Sequence, residues 1–161
     1  RVPQKDQTET SFQNRELEPK HCMKNLFDLI GRVFLSFIFF YEAYDSIKFG
    51  KETKALMTEY GLTWRQDLLL YGAIFCLILG GALILTGYRA KFGVFLLLAY
   101  WLPVTFIVHD FWTFPVSEQR LEGIHFMKNI AITGGLLMVF ANGVGDFSVK
   151  RLFATSRVRN V

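Results

Sequence analysis

The sequence is poor in the residues that stabilise small secreted domains. Its 161 residues include only two cysteines, Cys22 and Cys76, and four prolines. Two cysteines cannot build the several disulfides on which small secreted scaffolds depend, so that class of protein is excluded. Charge is also scarce where the chain is most apolar, because residues 68–87 and 92–109 contain no Asp, Glu, Lys or Arg. Uncharged runs of this length are typical of membrane spans.

The sequence also lacks the short motifs that mark common catalytic sites. It contains no P-loop, nucleophile elbow, paired-carboxylate signature or haem-attachment motif. It has no nucleic-acid recognition motif either, and its net charge of +4 is modest. We therefore expect a chain with no catalytic activity of its own, no metal and no resident cofactor, and we expect no nucleic acid among its partners.

Hydrophobicity is what the sequence has in abundance, with 52% hydrophobic residues and a mean hydropathy of +0.28. A helix needs about 17–25 residues to cross the hydrocarbon core of a bilayer. Strands of a membrane barrel would be shorter and would alternate in polarity. The sequence therefore predicts an all-α integral membrane four-helix bundle over residues 26–145, with spans at about 26–48, 68–87, 92–109 and 123–144.

Two polar segments flank the predicted bundle. Residues 1–25 form a polar N-terminal arm of mixed charge, and residues 146–161 form a basic C-terminal tail. A segment with the composition of this arm does not order alone, so we expect both extensions to contact other subunits. Because the chain begins with Arg1 rather than Met, we also expect either that an upstream segment was removed by processing or that the sequence was trimmed.

The connections between spans predict how the bundle is oriented. An even number of spans places both termini on one side, together with the cations of the turn at residues 87–91. The positive-inside rule assigns that side to the cytoplasm, or to the matrix of a mitochondrion. The longer loop at residues 49–67 is expected to hold a short amphipathic helix lying on the opposite surface.

Small residues predict where helices approach each other. They recur at spacing i, i+4 as Gly72, Cys76 and Gly80 in the second span, and as Ala131 and Gly135 in the fourth. Such spacing lets helix backbones come close in lipid, so we expect these positions to line helix contacts. In the first span Asp28 and Arg32 are also i, i+4 and are expected to form an ion pair near the interface.

The predicted topology gathers a polar cluster on the side away from the termini. We call it the distal cluster; its members end spans one and three and begin span four, and they are Glu42, Asp45, His109, Asp110, Glu122, His125, Lys128 and Asn129. Three interpretations stay open: an ion-pair network that ties the spans together, a proton- or quinone-contacting pocket, and a metal site at His109 and His125. The metal signal is weak, because the histidine spacing matches no common ligand motif.

A set of short motifs, in this order along four spans, resembles the DoxX-like membrane proteins, a family of small four-helix proteins named for a subunit of a terminal quinol oxidase. The matching residues are Gly31-Arg32, Gly87-x-x-Ala90, His109-Asp110-Phe111-Trp112, Phe126-x-Lys128-Asn129, Gly134-Gly135-Leu136-Leu137 and Gly143-x-Gly145. The resemblance implies the four-helix fold and a location in a bilayer.

From the resemblance and the flanking segments we expect an accessory, non-catalytic subunit of a large respiratory or other energy-transducing membrane complex, contributing to its assembly and stability. The expected partners are other membrane subunits and phospholipids such as cardiolipin. The expected address is the mitochondrial inner membrane with both termini in the matrix, with a bacterial plasma membrane as the alternative. The alternative function is a membrane redox or quinone-binding protein that uses the distal cluster.

Overall fold

The part of the chain that the structure describes forms five helices. The computed structural model describes the backbone of residues 6–145 and Ser148, and the side chains of residues 23–145 and Ser148. The helices are α1 (Asp6–Lys48), α2 (Gly50–Glu59), α3 (Gln66–Thr86), α4 (Ala90–Val108) and α5 (Val116–Asn142). No strand occurs within these described residues. The predicted all-α fold is confirmed.

Helix α1 is much longer than the first predicted span. It begins at Asp6 and continues without a break to Lys48, so most of the predicted polar arm is helical rather than irregular. A helix that is already formed over a packed segment extends at little further cost, since only nucleation is strongly unfavourable. Residues 1–5 and all of the tail except Ser148 lie outside the described residues, and the expected contacts of arm and tail with other subunits stay predictions.

The remaining helices follow the predicted spans closely. Helices α3 and α4 each lie within two residues of the predicted limits, whereas α5 begins seven residues earlier, directly after Pro115. The loop expected to hold a short helix contains α2. The tight turn between α3 and α4 uses left-handed backbone at Gly87 (φ 70°) and at Arg89 (φ 49°), a conformation that glycine adopts without steric cost.

Helices α3, α4 and α5 are the three that are long and apolar enough to cross a membrane, within the described part of the chain. Helix α1 is not among them, because it carries too many charged residues. The distribution of its buried and exposed side chains nevertheless resembles that of a membrane-spanning helix. Its exposed side chains include Phe27, Phe34 and Phe37, whereas Arg32 and Ser36 are fully buried. A helix of a water-soluble protein shows the reverse distribution. That α1 crosses the bilayer over residues 26–48 stays a prediction, and this surface favours it.

The helices pack in chain order. Helix α1 lies along α3, α3 along α4, and α4 along α5, while α1 and α5 touch only slightly. The core lies between α1, α3 and α4 and is centred on Phe39 and Trp101, whose rings meet edge to face at 5.2 Å between centroids. Helix α5 contributes one fully buried apolar side chain to this core, Leu136.

Close helix contact coincides with the predicted small residues at two positions. At Gly80 an added Cβ would lie 2.5 Å from Leu97 Cγ and 3.2 Å from the carbonyl oxygen of Gly93, so α3 and α4 touch backbone to backbone there. Gly135 packs against the side chain of Leu35. The other predicted positions are less enclosed: Cys76 is half-buried, and Gly72 and Ala131 are exposed.

The first prediction concerns the crossing of α3 and α4. Gly80→Val should lower the free energy of unfolding by about 1–3 kcal/mol, because the new side chain overpacks the contact with Leu97 and Gly93. The matched control is Gly72→Val in the same helix, where a Cβ meets nothing within 4 Å. Thermal unfolding of both variants in detergent measures the difference. Equal melting temperatures for the two variants would contradict a close contact at Gly80.

Candidate functional site

The distal cluster forms where α4 ends and α5 begins. His109 terminates α4, and its Nδ1 lies 2.8 Å from Glu122 Oε2 in the second turn of α5. The imidazole rings of His109 and His125 stack with centroids 5.4 Å apart and planes inclined by 23°. His109 and Glu122 are both about one-fifth exposed. This pair therefore links α4 to α5 through a hydrogen bond that is partly shielded from solvent.

The carboxylate of Glu42 brings α1 into the cluster. It interacts electrostatically with the ammonium of Lys128 and the imidazole of His109, and it is repelled by Asp45 one turn further along α1. Glu42 and Asp45 are half-buried, whereas Lys128 is exposed. The distal cluster thus joins the ends of α1, α4 and α5, as the predicted topology requires, but Lys128 is less enclosed than its depth in the fourth span suggested.

Tyr60 belongs to the same region and carries no signal in the sequence. It follows α2, and its hydroxyl donates a hydrogen bond to the carbonyl oxygen of Val108, 3.1 Å away, at the end of α4. Burial raises the pKa of the Tyr60 phenol, and the negative charges of Asp110, Glu59 and Glu122 raise it further. Tyr60 therefore stays a neutral hydrogen-bond donor at physiological pH. The hydrogen bond from Tyr60 to Val108 depends on how α2 packs against the bundle, and no local sequence pattern predicts that packing.

Asp110 and Asn129 each have a buried oxygen without a hydrogen-bond partner among the described residues. These atoms are Oδ1 of Asp110 and Oδ1 of Asn129. Asn129 is 3% exposed and lies away from the ion pairs, next to Trp101, whose indole donates a hydrogen bond to the Asn129 carbonyl oxygen at 3.3 Å. A buried polar oxygen without a hydrogen-bond donor lowers the stability of the fold. A water molecule or a ligand that donates a hydrogen bond to either oxygen would remove this cost.

The arrangement can hold and share a proton. The carboxylate of Glu122 contacts the imidazole of His109, which stacks on that of His125, and a proton between a carboxylate and an imidazole can be held by either group. No group of three or more His, Cys, Asp or Glu side chains is placed to hold a metal ion within the described residues. The geometry therefore favours the ion-pair and proton interpretations of the distal cluster over a metal site.

A second polar site lies at the opposite end of the bundle, around Arg32. The guanidinium is fully buried, and its Nε donates a hydrogen bond to Asp28 Oδ2 at 2.9 Å, as the i, i+4 spacing predicts. Its Nη1 also lies 3.4 Å and 3.2 Å from the carbonyl oxygens of Ile84 and Leu85. These carbonyls belong to the last turn of α3, where carbonyls run out of intrahelical donors, although that of Ile84 also accepts from the backbone N–H of Gly87 at 3.2 Å. Arg32 thus caps α3 from α1.

Two glycines make room for this site. At Gly87 a Cβ would lie 2.9 Å from Arg32 Nη1 and 2.7 Å from Ser148 Cβ. At Gly145 a Cβ would lie 2.7 Å from Asn25 Oδ1, and the backbone N–H of Gly145 donates to Asp28 Oδ2 at 3.1 Å. The segment after α5 is therefore anchored on the same carboxylate that holds Arg32. We call Asp28, Arg32 and these backbone groups the Arg32 site.

The complete burial of Arg32 could not be read from the sequence. The i, i+4 spacing indicates a pair with Asp28, but Arg32 also donates to backbone carbonyls of α3, and Asp28 also accepts from the backbone N–H of Gly145. Backbone groups have no residue signature. The two glycines were a sequence signal for this site. Gly87 lies at the end of the second apolar run and Gly145 directly after the fourth, and both belong to the short motifs named above.

An all-helical chain with three helices apolar enough to cross a bilayer, and with an arginine buried between helices, is an integral membrane protein. Residues 27–110 match the DoxX family. The match covers more than half of the chain, from α1 to the end of α4, and the chain belongs to this family. The resemblance stated from the motifs is therefore confirmed.

The chain is also similar to the Surfeit locus protein 4 homolog of Schizosaccharomyces pombe, with 28% identity over 133 residues. This similarity covers 81% of the chain and 38% of the yeast protein, so the chain spans well under half the length of that relative. No solved structure is similar to the chain.

The second prediction concerns the Arg32 site. Arg32→Met should destabilise the bundle by about 3–5 kcal/mol, because it leaves the Asp28 carboxylate and the α3 carbonyls without the charge that pairs with them. Lys24→Met, which removes an exposed cation from the same helix, should change stability by less than about 0.5 kcal/mol. Thermal unfolding in detergent checks both. An Arg32→Met chain as stable as the Lys24→Met chain would contradict the capping role.

Proposed function

We propose that this chain is an accessory, non-catalytic subunit of a large energy-transducing membrane complex, and that the complex is a respiratory assembly of the mitochondrial inner membrane. Both termini then face the matrix. The chain contributes to assembly and stability rather than to turnover. The observation that carries the proposal is the incomplete cover of α5 by the rest of the chain.

Helix α5 is the least covered of the three apolar helices. In its most apolar stretch 11% of the residues are buried, against 33% in α3 and 28% in α4. It packs along α4 but scarcely meets α1. Its exposed side chains include Leu137, Met138 and Phe140. A helix of a neighbouring subunit placed beside α5 would cover this face and the seam between α5 and α1.

Two contacts of the distal cluster lie within the chain, although Asp110 Oδ1 has no partner among the described residues. His109 pairs with Glu122, and Glu42 faces Lys128. The His109–Glu122 pair ties α4 to α5, and the attraction of Glu42 to Lys128 and His109 adds α1, which is enough for a structural role. The family is named for an oxidase subunit, which is consistent with a place beside an oxidoreductase. Phospholipids such as cardiolipin are proposed to fill the remaining contacts with the complex.

The third prediction tests membership of a complex. The chain, isolated from its native membrane in mild detergent, should migrate with oxidoreductase subunits on a native gel, in a fixed ratio measured by quantitative mass spectrometry. Depleting the chain should lower the amount of assembled complex but not the turnover of each assembled particle. Migration as a free monomer would overturn the proposal, and so would full assembly in the absence of the chain.

The alternative is a redox or quinone-binding protein that uses the distal cluster. The stacked rings of His109 and His125 and the unpartnered Oδ1 of Asp110 favour this alternative, because a quinone oxygen can accept from an imidazole and a quinol can donate to a carboxylate. In this case the cluster exchanges protons with its ligand.

The fourth prediction separates the two functions by Lys128→Met. An accessory subunit should assemble with this substitution and leave turnover per particle unchanged, with a cost of about 1 kcal/mol at most because Lys128 is exposed. A quinone site should lose turnover while assembly persists, because the charge that balances Glu42 is gone. Turnover is measured on particles counted by native gel. Selective loss of quinol turnover would favour the alternative.

A further inference from the structure

An open groove of about 900 Å³ runs along the first half of α5. The helix lines it with a stripe at spacing i, i+3, i+4, i+7 and i+8: Arg120, Gly123, Ile124, Met127 and Lys128. Phe111, from the loop between α4 and α5, forms the opposite wall. Such spacing places all five residues on one face of the helix. The groove is therefore a single continuous feature that opens outwards from the bundle.

The groove has apolar side chains between two cations, Arg120 and Lys128, and continues past Arg120 to Gln119 and Val116. Ile124 and Met127 are 57% and 63% exposed, so their side chains lack cover by the rest of the chain. Gly123 leaves the floor open, since a Cβ there would meet only the Phe111 ring at 3.8 Å. Arg120 and Lys128 are eight residues apart, about 12 Å along the helix axis. An occupant must therefore combine an apolar body with negative charge.

The two cations differ in how their charge is balanced. Lys128 faces Glu42 in the distal cluster. Arg120 forms no salt bridge within the part of the chain that the structure describes, and it is exposed. A guanidinium binds a phosphate through two parallel hydrogen bonds. Arg120 is thus the cation available to an anionic group that approaches from outside the bundle.

The position of the groove selects its occupant. Arg120 lies at the start of α5, outside the predicted span that begins near residue 123, whereas Ile124 and Met127 lie within that span. Next to Phe111, the half-exposed ring of Trp112 suits the headgroup region of a bilayer. An amphiphile that enters from the membrane would place its charged group at Arg120 and its chains over Ile124 and Met127.

We infer that this groove is a binding site for an anionic phospholipid, whose phosphate pairs with Arg120 and whose acyl chains cover Ile124 and Met127. The lipid lies on the membrane face opposite the termini. The site does not depend on the proposed role as an accessory subunit, because the groove is complete within this chain and needs no neighbouring protein to close it.

The fifth prediction uses Trp112 as the reporter of lipid binding. The full chain, carrying Trp64→Phe to reduce background fluorescence, is placed in phosphatidylcholine vesicles with either brominated phosphatidylglycerol or brominated phosphatidylcholine. The anionic brominated lipid should quench more strongly at equal mole fraction. Arg120→Gln should reduce this preference about fivefold, as expected for one cation at the surface. Gly123→Leu should abolish the preference, because its side chain fills the groove beside Phe111.

The control is Lys51→Gln, which removes one exposed positive charge from α2, away from the groove. It should leave the lipid preference unchanged. Each variant is first shown to melt at the wild-type temperature. If Gly123→Leu fails to fold, the result for Arg120→Gln alone decides whether the groove binds the lipid. Equal quenching by the two lipids would overturn the inference, as would an Arg120→Gln chain that keeps its full preference. Displacement of the anionic lipid by inorganic phosphate alone would also overturn it, because the site would then recognise a free anion.

Discussion

The burial of one guanidinium constrains the whole bundle. Arg32 is fully enclosed, whereas Phe27 and Phe34 of the same helix are exposed, and an ionised group in such a place must be paired and hydrogen-bonded. Among the described residues its contacts reach three parts of the chain: Asp28 on α1, the last carbonyls of α3, and, through Asp28, the backbone of Gly145 after α5. Satisfying Arg32 therefore links these three parts, and it supplies a side-chain donor to the last carbonyls of α3.

The opposite end of the bundle is linked mainly by contacts between side chains, with one hydrogen bond from Tyr60 to the backbone of Val108. There His109, Glu122 and the facing charges of Glu42 and Lys128 link α1, α4 and α5. Between the two polar ends the contacts are apolar and close, most of all where α3 and α4 touch at Gly80 and Gly93. Helix α5 takes little part in these central contacts, which leaves its outer face and the groove beside Phe111 for partners outside the chain.

The short motifs of the family resemblance acquire a physical meaning in this arrangement. Arg32, Gly87 and Gly145 are far apart in sequence but meet at the Arg32 site. The absence of a side chain at Gly87 leaves room for the Arg32 guanidinium, and the backbone N–H of Gly145 donates a hydrogen bond to Asp28. The motifs around His109 and Lys128 meet at the distal cluster. For Gly31 the structure offers no comparable reason, because a Cβ there would meet nothing within 4 Å.

The sequence predicted what depends on local pattern and on topology. Hydropathy located α3, α4 and α5, and the even number of predicted spans brought Glu42, His109 and Lys128 to one end. It did not reveal the helical backbone of the arm, which depends on extension from a packed segment. Nor did it show which small residues face another helix, since Gly72 and Gly80 share a spacing but only Gly80 is enclosed. The full burial of Arg32 depends on hydrogen bonds to backbone carbonyls, and such partners cannot be recognised from residue types.

The central claim is that α1 crosses the bilayer with Arg32 inside the bundle. The most direct test labels single cysteines with a membrane-impermeant maleimide in sealed vesicles of known orientation, after Cys22 and Cys76 are replaced. If α1 spans, Thr8→Cys before the span and Thr63→Cys in the loop between α2 and α3 are labelled from opposite faces. Labelling of both positions from the same face would show that α1 lies on the membrane, and would contradict the account.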